Sequence, residues 1–203
     1  MSERAAAHAD AILAIVPQEA SEATLASLPQ SERWRRLRAR AHFDGRGGAA
    51  VSASLANARE TRAVLGVLPP RATAFDTLTL AGRMLREAAS REPETLVVAA
   101  PTQSGARNGL FGDARAARDG GAQADALGAL VTAALAHAFE MPAFRKLRTR
   151  HPRLRRIEVI GAAGLDLGYV RTAADANNLA RYLTALPPNV LDARAYRRFI
   201  TTL

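Results

Sequence analysis

The sequence contains no cysteine, only one lysine, few aromatic residues and no long apolar run. The absence of cysteine excludes disulfides, thiolate metal sites and a cysteine nucleophile, and it is consistent with a reducing compartment. The apolar run Ala11–Val16 is too short for the core of a signal peptide, and no run approaches the roughly 20 residues of a membrane span. We therefore expect a cytoplasmic protein that does not interact with membranes.

Arginine and alanine dominate what is present, and the formal net charge is +9. Arginine can neutralise phosphates, so the charge suggests nucleic-acid binding. However, joint enrichment in arginine and alanine is also typical of proteins encoded by GC-rich genomes, and this bias alone can account for the charge.

Apolar runs alternate with amphipathic segments along the chain, which predicts strands alternating with helices. Residues 1–10 are expected to be an irregular start. Strands are predicted at residues 11–16, 51–55, 62–68, 95–100 and 157–160, and helices at 31–41, 73–89, 126–139 and 172–186, with a last helix from about residue 192. This order predicts an α/β fold of three layers, with a mixed or mostly parallel sheet flanked by helices. A domain spanning residues 1–165 is expected to be followed by a helical linker at 166–203.

Two of these helices carry specific expectations about which side chains are buried. Ser31 is a candidate N-cap for its helix. The helix at 73–89 is expected to bury the stripe Phe75, Leu78, Met84, Leu85 and Ala88. The helix at 172–186 is expected to bury Ala173, Ala176, Leu179, Ala180 and Leu183.

No catalytic or metal-binding residue can be assigned from the sequence. The four histidines have no metal-ligand spacing, and Ser104-Gly105 lacks the strand-to-helix setting of a nucleophile elbow. The glycines Gly45, Gly47 and Gly48 follow a helix and precede a strand, the reverse of a phosphate-binding loop, so a turn entering a strand is the expected role.

The densest local signal is basic. Arg145, Lys146, Arg148, Arg150, Arg153, Arg155 and Arg156, together with His151, lie within twelve positions. Such a density of positive charge can bind phosphates, so this basic run is a candidate nucleic-acid interface. DNA is the candidate partner. The alternatives are a solvated connection or a contact with acidic groups of another subunit. No aromatic residues are interleaved, which argues against single-stranded nucleic acid.

The most specific pattern lies in the last third of the chain. The string from residue 173 to 191 joins an amphipathic helix to a Pro-Pro-Asn step. It resembles the linker of leucyl aminopeptidases, the cytosol aminopeptidase family, where an "N-L-A-R-D-L" stretch leads into "N-x-P-P-N-x-L-T-P" before the catalytic domain. The matching residues, called here the linker motif, are Asn178, Leu179, Ala180, Arg181, Leu183, Pro187, Pro188, Asn189 and Leu191.

The resemblance implies a role and a parent enzyme. The family's N-terminal domain is non-catalytic, has an α/β fold resembling macro domains, and contributes to hexamer assembly and active-site access. The full-length enzymes use two divalent metals (zinc, manganese or magnesium) to remove N-terminal amino acids from peptides. Their ligands lie in the C-terminal domain, so the resemblance assigns no catalytic residue, metal ligand or cofactor to this chain. It implies as partners the chain's own C-terminal catalytic domain, absent from this sequence, and other subunits of a homo-hexamer.

Two alternatives to the assembly role stay open. One is a DNA-binding regulatory module that uses the basic run. The other, on fold analogy alone, is a macro-domain-like binder of ADP-ribose or a related nucleotide.

Overall fold

The fold is taken from a computed structural model that describes residues 3–20, 22–41, 48–101, 121–142, 154–161 and 165–202. Five strands form one sheet: β1 (Ala11–Pro17), β2 (Ala49–Ser54), β3 (Arg62–Leu68), β4 (Thr95–Ala99) and β5 (Arg156–Ile160). The helices are α1 (Glu3–His8), α2 (Glu22–Ala26), α3 (Ser31–Arg40), α4 (Ala74–Ala89), α5 (Gly121–Ala138), α6 (Leu167–Ala185) and α7 (Ala193–Ile200).

The sheet has the strand order β2-β3-β1-β4-β5. All neighbouring pairs are parallel except β2 with β3, which is antiparallel. β1 lies at the centre, and its residues are buried as far as Val16 because helices cover both faces of the sheet. Strands buried on both faces read as continuous apolar runs, which is why the sequence located β1 and β3 to within one residue.

The sheet and the helices on its two faces form three layers, with a hydrophobic core on each face of the sheet. On one face, α4 and α5 pack against the sheet through residues such as Leu80, Met84 and Leu127. On the other face, Trp34 and Leu37 of α3 lie in a second cluster with Leu25 of α2. The α/β class, with a mostly parallel sheet flanked by helices, is therefore confirmed.

Gly66, in the middle of β3, is required by this packing. A Cβ atom at Gly66 would lie 2.3 Å from the sulfur of Met84, a residue that is itself fully buried. An alanine at this position would therefore require the Met84 side chain to change its conformation or α4 to move away from the sheet.

The start of the chain differs from the expectation of an irregular segment. Residues 3–8 form α1, and Ala6 and Ala9 are buried in the second core. The fully buried Thr61 ties this segment down, since its hydroxyl donates to the carbonyl of Ala9 at 2.6 Å.

The expected N-cap of α3 is also wrong. Ser31 is the first helical residue, and Gln30, with φ of 55°, occupies the cap position without a side-chain cap bond. The Gln30 amide is engaged elsewhere, because its oxygen accepts from the backbone N–H of Ala56 at 3.0 Å and its nitrogen donates to the carbonyl of Ala56 at 3.2 Å.

The buried stripe of α4 was predicted only in part. Met84, Leu85 and Ala88 are buried, but Phe75 is 76% and Leu78 47% exposed. In place of Phe75 and Leu78, the helix buries Thr77, Leu80 and Ala81. A polar residue can face the core here because the Thr77 hydroxyl donates to the carbonyl of Thr73 at 3.0 Å.

Candidate functional site: the linker motif and the end of α5

The first part of the linker motif lies on α6, which begins earlier than the sequence predicted. Asp166 caps the helix by accepting from the N–H of Tyr169 at 2.9 Å, so α6 starts at Leu167 and includes Gly168. A capping aspartate satisfies an otherwise unpaired N–H in the first turn. The helix then packs along α5, with Val170 against the first core and Ala174 buried.

The face of α6 that contacts the domain is not the predicted apolar face. Ala174 and Asn178 are buried, whereas Ala173, Ala176 and Ala180 are exposed. Leu179 and Leu183, also expected to be buried, are half-buried. The buried face differs from the predicted one because the polar side chain of Asn178 points inward, where it forms a hydrogen bond with α5.

Asn178 and Arg181 together hold the C-terminal end of α5. The Asn178 side-chain nitrogen donates to the carbonyl of Leu135 at 3.4 Å. Arg181 Nη1 donates to the carbonyl of Ala136 at 2.9 Å and to Asn178 Oδ1 at 2.8 Å. We call these two side chains, with the two carbonyls they bind, the clasp.

The clasp supplies what the end of a helix lacks. The last four carbonyls of a helix have no intrahelical partner, and those of Leu135 and Ala136 are two of the four in α5. The guanidinium also brings positive charge to the negative end of the helix dipole. The Asn-x-x-Arg part of the linker motif therefore fixes the position of α6 against the α/β domain.

His137 lies in the same last turn of α5 and is half-buried. Burial disfavours the imidazolium and lowers the pKa of His137 below its ordinary value of 6.5. The last turn of α5 thus contains a histidine whose charged form is disfavoured, while Arg181 of α6 binds the carbonyl of the preceding residue, Ala136.

The second part of the linker motif forms a turn. The carbonyl of Pro187 accepts from the N–H groups of Val190 and Leu191, at 2.8 and 3.0 Å. Asp192 then caps α7 by accepting from the N–H of Ala195 at 2.6 Å. The residues of the turn differ in exposure, with Pro187 and Leu191 half-buried, and Pro188 and Asn189 exposed.

Apolar side chains remain exposed along this C-terminal segment. Val190 is 47%, Tyr196 46% and Ile200 48% exposed, and no residue of α7 is buried. Tyr196 and Ile200 are four positions apart and so share one face of α7. We call Val190, Tyr196 and Ile200 the linker surface; the described part of the chain leaves about half of each residue exposed.

Most of the basic run lies outside the described residues: Arg145, Lys146, Arg148, Arg150 and Arg153. Arg155 and Arg156 are described and exposed, and their backbone N–H groups both donate to the carbonyl of Glu94 at the start of β5. The guanidinium of Arg156 pairs with Glu158 at 2.8 Å. Use of the basic run for DNA stays a prediction.

No metal site is found in the described ranges, because no three His, Asp or Glu side chains lie close enough together to hold an ion. The described residues therefore do not fit the two-metal centre of an aminopeptidase. Gly45 and Gly47 fall outside the described residues; Gly48, with φ of 77°, leads into β2 as a turn residue. No described helix is both long and apolar enough to cross a membrane.

Comparison by sequence gives no match: no family model and no curated protein matches this chain significantly. Comparison by structure does. A structure of the bottromycin maturation enzyme BotP in complex with Mn superposes with a TM-score of 0.59 at 18% identity, over 95% of this chain and 35% of that one. A second BotP structure gives 0.54 at 22% identity, over 96% and 36%.

A mutant of tomato leucine aminopeptidase gives a TM-score of 0.63 at 16% identity, over 94% of this chain and 39% of that chain. At such identities the likeness is one of fold. The chain spans little more than a third of the length of these structures, whereas the superposition covers almost the whole of this chain. The resemblance to a leucyl aminopeptidase that the linker motif predicted is thus confirmed by the fold.

Proposed function

We propose that this chain is the N-terminal, non-catalytic domain of a leucyl-aminopeptidase-like metallopeptidase. One observation carries the proposal: nearly the whole chain matches little more than a third of a leucine aminopeptidase. The linker motif supports it independently, because it was recognised in the sequence without reference to the fold.

In this proposal the domain serves assembly and regulation, and the chemistry belongs to a C-terminal catalytic domain. That domain would bind two divalent metals, zinc, manganese or magnesium, and remove N-terminal amino acids from peptides in the cytoplasm. The full-length enzyme would form a homo-hexamer in which this domain contacts its own catalytic domain and other subunits.

The linker surface gives the proposal a physical basis. Large apolar side chains that remain half exposed are stabilised when a partner covers them. Val190, Tyr196 and Ile200 lie in the segment after the clasp. The clasp would fix the direction of that segment, and the linker surface would contact the catalytic domain.

The first experiment measures the mass of the native protein in its source organism, with an antibody raised against this chain. A band of more than twice the 21.6 kDa of this chain is expected, together with metal-dependent hydrolysis of leucine p-nitroanilide by the immunopurified protein. A band near 21.6 kDa without peptidase activity would contradict the proposal.

A variant pair tests the docking role in the full-length enzyme. Ile200→Glu should leave the stability of this chain alone nearly unchanged, because the side chain is already half exposed. In the full-length enzyme it should reduce the fraction of assembled hexamer and the activity that depends on assembly. Ile200→Val is the matched control, and equal assembly of the two variants would rule out this contact.

A further inference from the structure

The edge of the sheet at β2 is a surface separate from the linker motif. Among the described residues β2 is the outermost strand on one side and pairs only with β3. In an antiparallel pair, alternate residues direct their N–H and C=O groups towards the partner strand and away from it. The N–H of Leu55 donates to the carbonyl of Thr61, which continues the register of β2 with β3.

This bond sets which residues of β2 face outward. Because Leu55 bonds inward, so do Ala53, Val51 and Ala49. The N–H and C=O groups of the even-numbered residues then point away from the sheet. Two side chains agree with this assignment, since Arg33 Nη1 donates to the carbonyl of Ser54 at 3.2 Å and Arg83 Nη1 to that of Gly48 at 3.4 Å.

Between these two carbonyls the edge is unoccupied in the described part of the chain. The outward N–H and C=O groups of Ala50 and Ser52 have no hydrogen-bond partner there. β2 carries neither proline nor a charged side chain, the usual features that prevent an edge strand from pairing. An incoming extended segment could therefore form up to four backbone hydrogen bonds with these two residues.

The charges at the two ends of the edge indicate the partner. Among the described residues neither Arg33 nor Arg83 has a carboxylate partner, while Arg62, beside the same strand, is already paired with Glu87 at 3.4 Å. Two guanidiniums whose described partners are backbone carbonyls thus flank the edge, on a chain of net charge +9. A second copy of the chain would bring two more arginines to the same place, whereas an acidic segment would neutralise them.

We propose that the β2 edge binds an extended acidic peptide segment by strand addition. Arg33 extends from α3 and Arg83 from α4, which cover opposite faces of the sheet. Successive side chains of a strand point to opposite faces. The two carboxylates of the partner must therefore be separated by an odd number of positions, five or seven, to span from one end of the edge to the other at about 3.3 Å per residue.

The probe is the synthetic peptide acetyl-Glu-Thr-Val-Thr-Val-Glu-amide, whose glutamates are five positions apart, titrated against the full chain by calorimetry or fluorescence anisotropy. Its isomer acetyl-Glu-Thr-Val-Thr-Glu-Val-amide places both glutamates on one face, and a third peptide has lysine in place of glutamate. We expect the first peptide to bind about fivefold or more tightly than the second, and the third not to bind. Raising the salt from low to about 0.5 M should weaken the first peptide most.

Chain variants separate the backbone contribution from the charge contribution. Ala50→Pro removes an outward N–H without breaking the β2–β3 ladder, and should weaken binding at least about tenfold. Ala50→Val keeps that N–H and is the matched control. The double variant Arg33→Gln with Arg83→Gln should abolish the preference for the first peptide over its isomer.

Three results would overturn the proposal. They are no binding of the first peptide at millimolar concentration, equal binding by Ala50→Pro and Ala50→Val, or a concentration-dependent dimer in sedimentation that Ala50→Pro dissociates, which would make a second copy the occupant. If Ala50→Pro does not fold, the same question is answered by methylating the backbone nitrogens of the peptide, which should abolish binding to the unaltered chain.

Discussion

The clasp makes the sharpest prediction about stability. Replacing Arg181 with methionine keeps the aliphatic stem but removes the donor to the carbonyl of Ala136 and to Asn178 Oδ1. A hydrogen bond from a charged donor contributes about 1.5–3 kcal/mol net. Both bonds here come from one nitrogen of a half-buried side chain, so we count them together as a single bond near the lower end of that range. We expect Arg181→Met to lower the free energy of unfolding by about 2 kcal/mol.

For a chain of this length such a loss corresponds to a fall in Tm of about 4–8 °C. Asn178→Ala should cost about 1–2 kcal/mol, since it exchanges a buried, hydrogen-bonded amide for a small cavity. The double variant should cost about 1 kcal/mol less than the sum, because both single variants remove the same bond between the two side chains.

The assay is chemical denaturation, supported by amide hydrogen exchange along residues 167–185. Exchange reports whether the loss appears as local release of α6 from α5 or as global unfolding. Arg171→Met is the matched control, since Arg171 lies on the same helix, is 80% exposed and approaches Asp175 only to 3.9 Å. The reasoning is refuted if Arg181→Met and Arg171→Met unfold within about 0.5 kcal/mol of each other.

Four further predictions follow from individual positions. Gly66→Ala should destabilise the chain by about 1–3 kcal/mol because its Cβ would meet the sulfur of Met84, and the companion change Met84→Ala should recover part of the lost Tm. Thr73→Ala should cost about 1 kcal/mol by removing the cap of α4, measured by urea denaturation. Two hydrogen bonds, from the backbone N–H and then from the side chain of Thr73, lower the pKa of Asp76 below 3.8. The contribution of ionised Asp76 to the free energy of unfolding is therefore complete above pH 3.8 and is lost as pH falls through the lower pKa of the folded state. Asp76→Asn should flatten that part of the profile of stability against pH. The lowered pKa of His137 predicts that stability also declines as pH falls below 6.5, and His137→Gln should remove this decline, with an unchanged profile contradicting the argument.

The strands were predictable because burial on both sheet faces leaves little choice of residue. β1 and β3 are continuous apolar runs that end at proline or just before it, and both were located to within one residue. The order of the strands was not predictable. The antiparallel pairing of β2 with β3 agrees with the short connection between them, residues 55–61, which is too short for a parallel crossover. The position of β1 between β3 and β4 depends on longer crossover connections, whose course the spacing of apolar residues does not give.

The errors in the helices share one physical cause. Predicting a buried face from apolar residues alone assumes that polar side chains stay outside. In α4 the inward Thr77 bonds to its own helix, and in α6 the inward Asn178 bonds to a neighbouring helix. In both helices the buried face therefore includes a polar residue that the spacing of apolar side chains cannot identify.

The linker motif shows the complementary case. Its recognition rested on resemblance, and resemblance gave no role to any single residue. The structure assigns roles to Asn178 and Arg181, which bind the end of α5. The sequence shows that asparagine and arginine are three positions apart on a helix. It does not show that this helix packs against the end of α5, and without that contact neither residue can be given a role.

The central position of β1 has a consequence for how the chain is made. Ala11 pairs with Arg62 on one side and with Leu96 on the other, so the second partner is synthesised about 85 residues later. At about 5–20 residues per second this interval is roughly 4–17 s on the ribosome. Both edges of this uncharged run of six apolar residues are open until β3 has been synthesised, and one edge stays open until β4 follows. Such segments promote aggregation when unpaired. The yield of correctly folded protein should therefore depend on synthesis speed and on chaperones that bind the nascent N-terminal segment, more than on the final stability of the sheet.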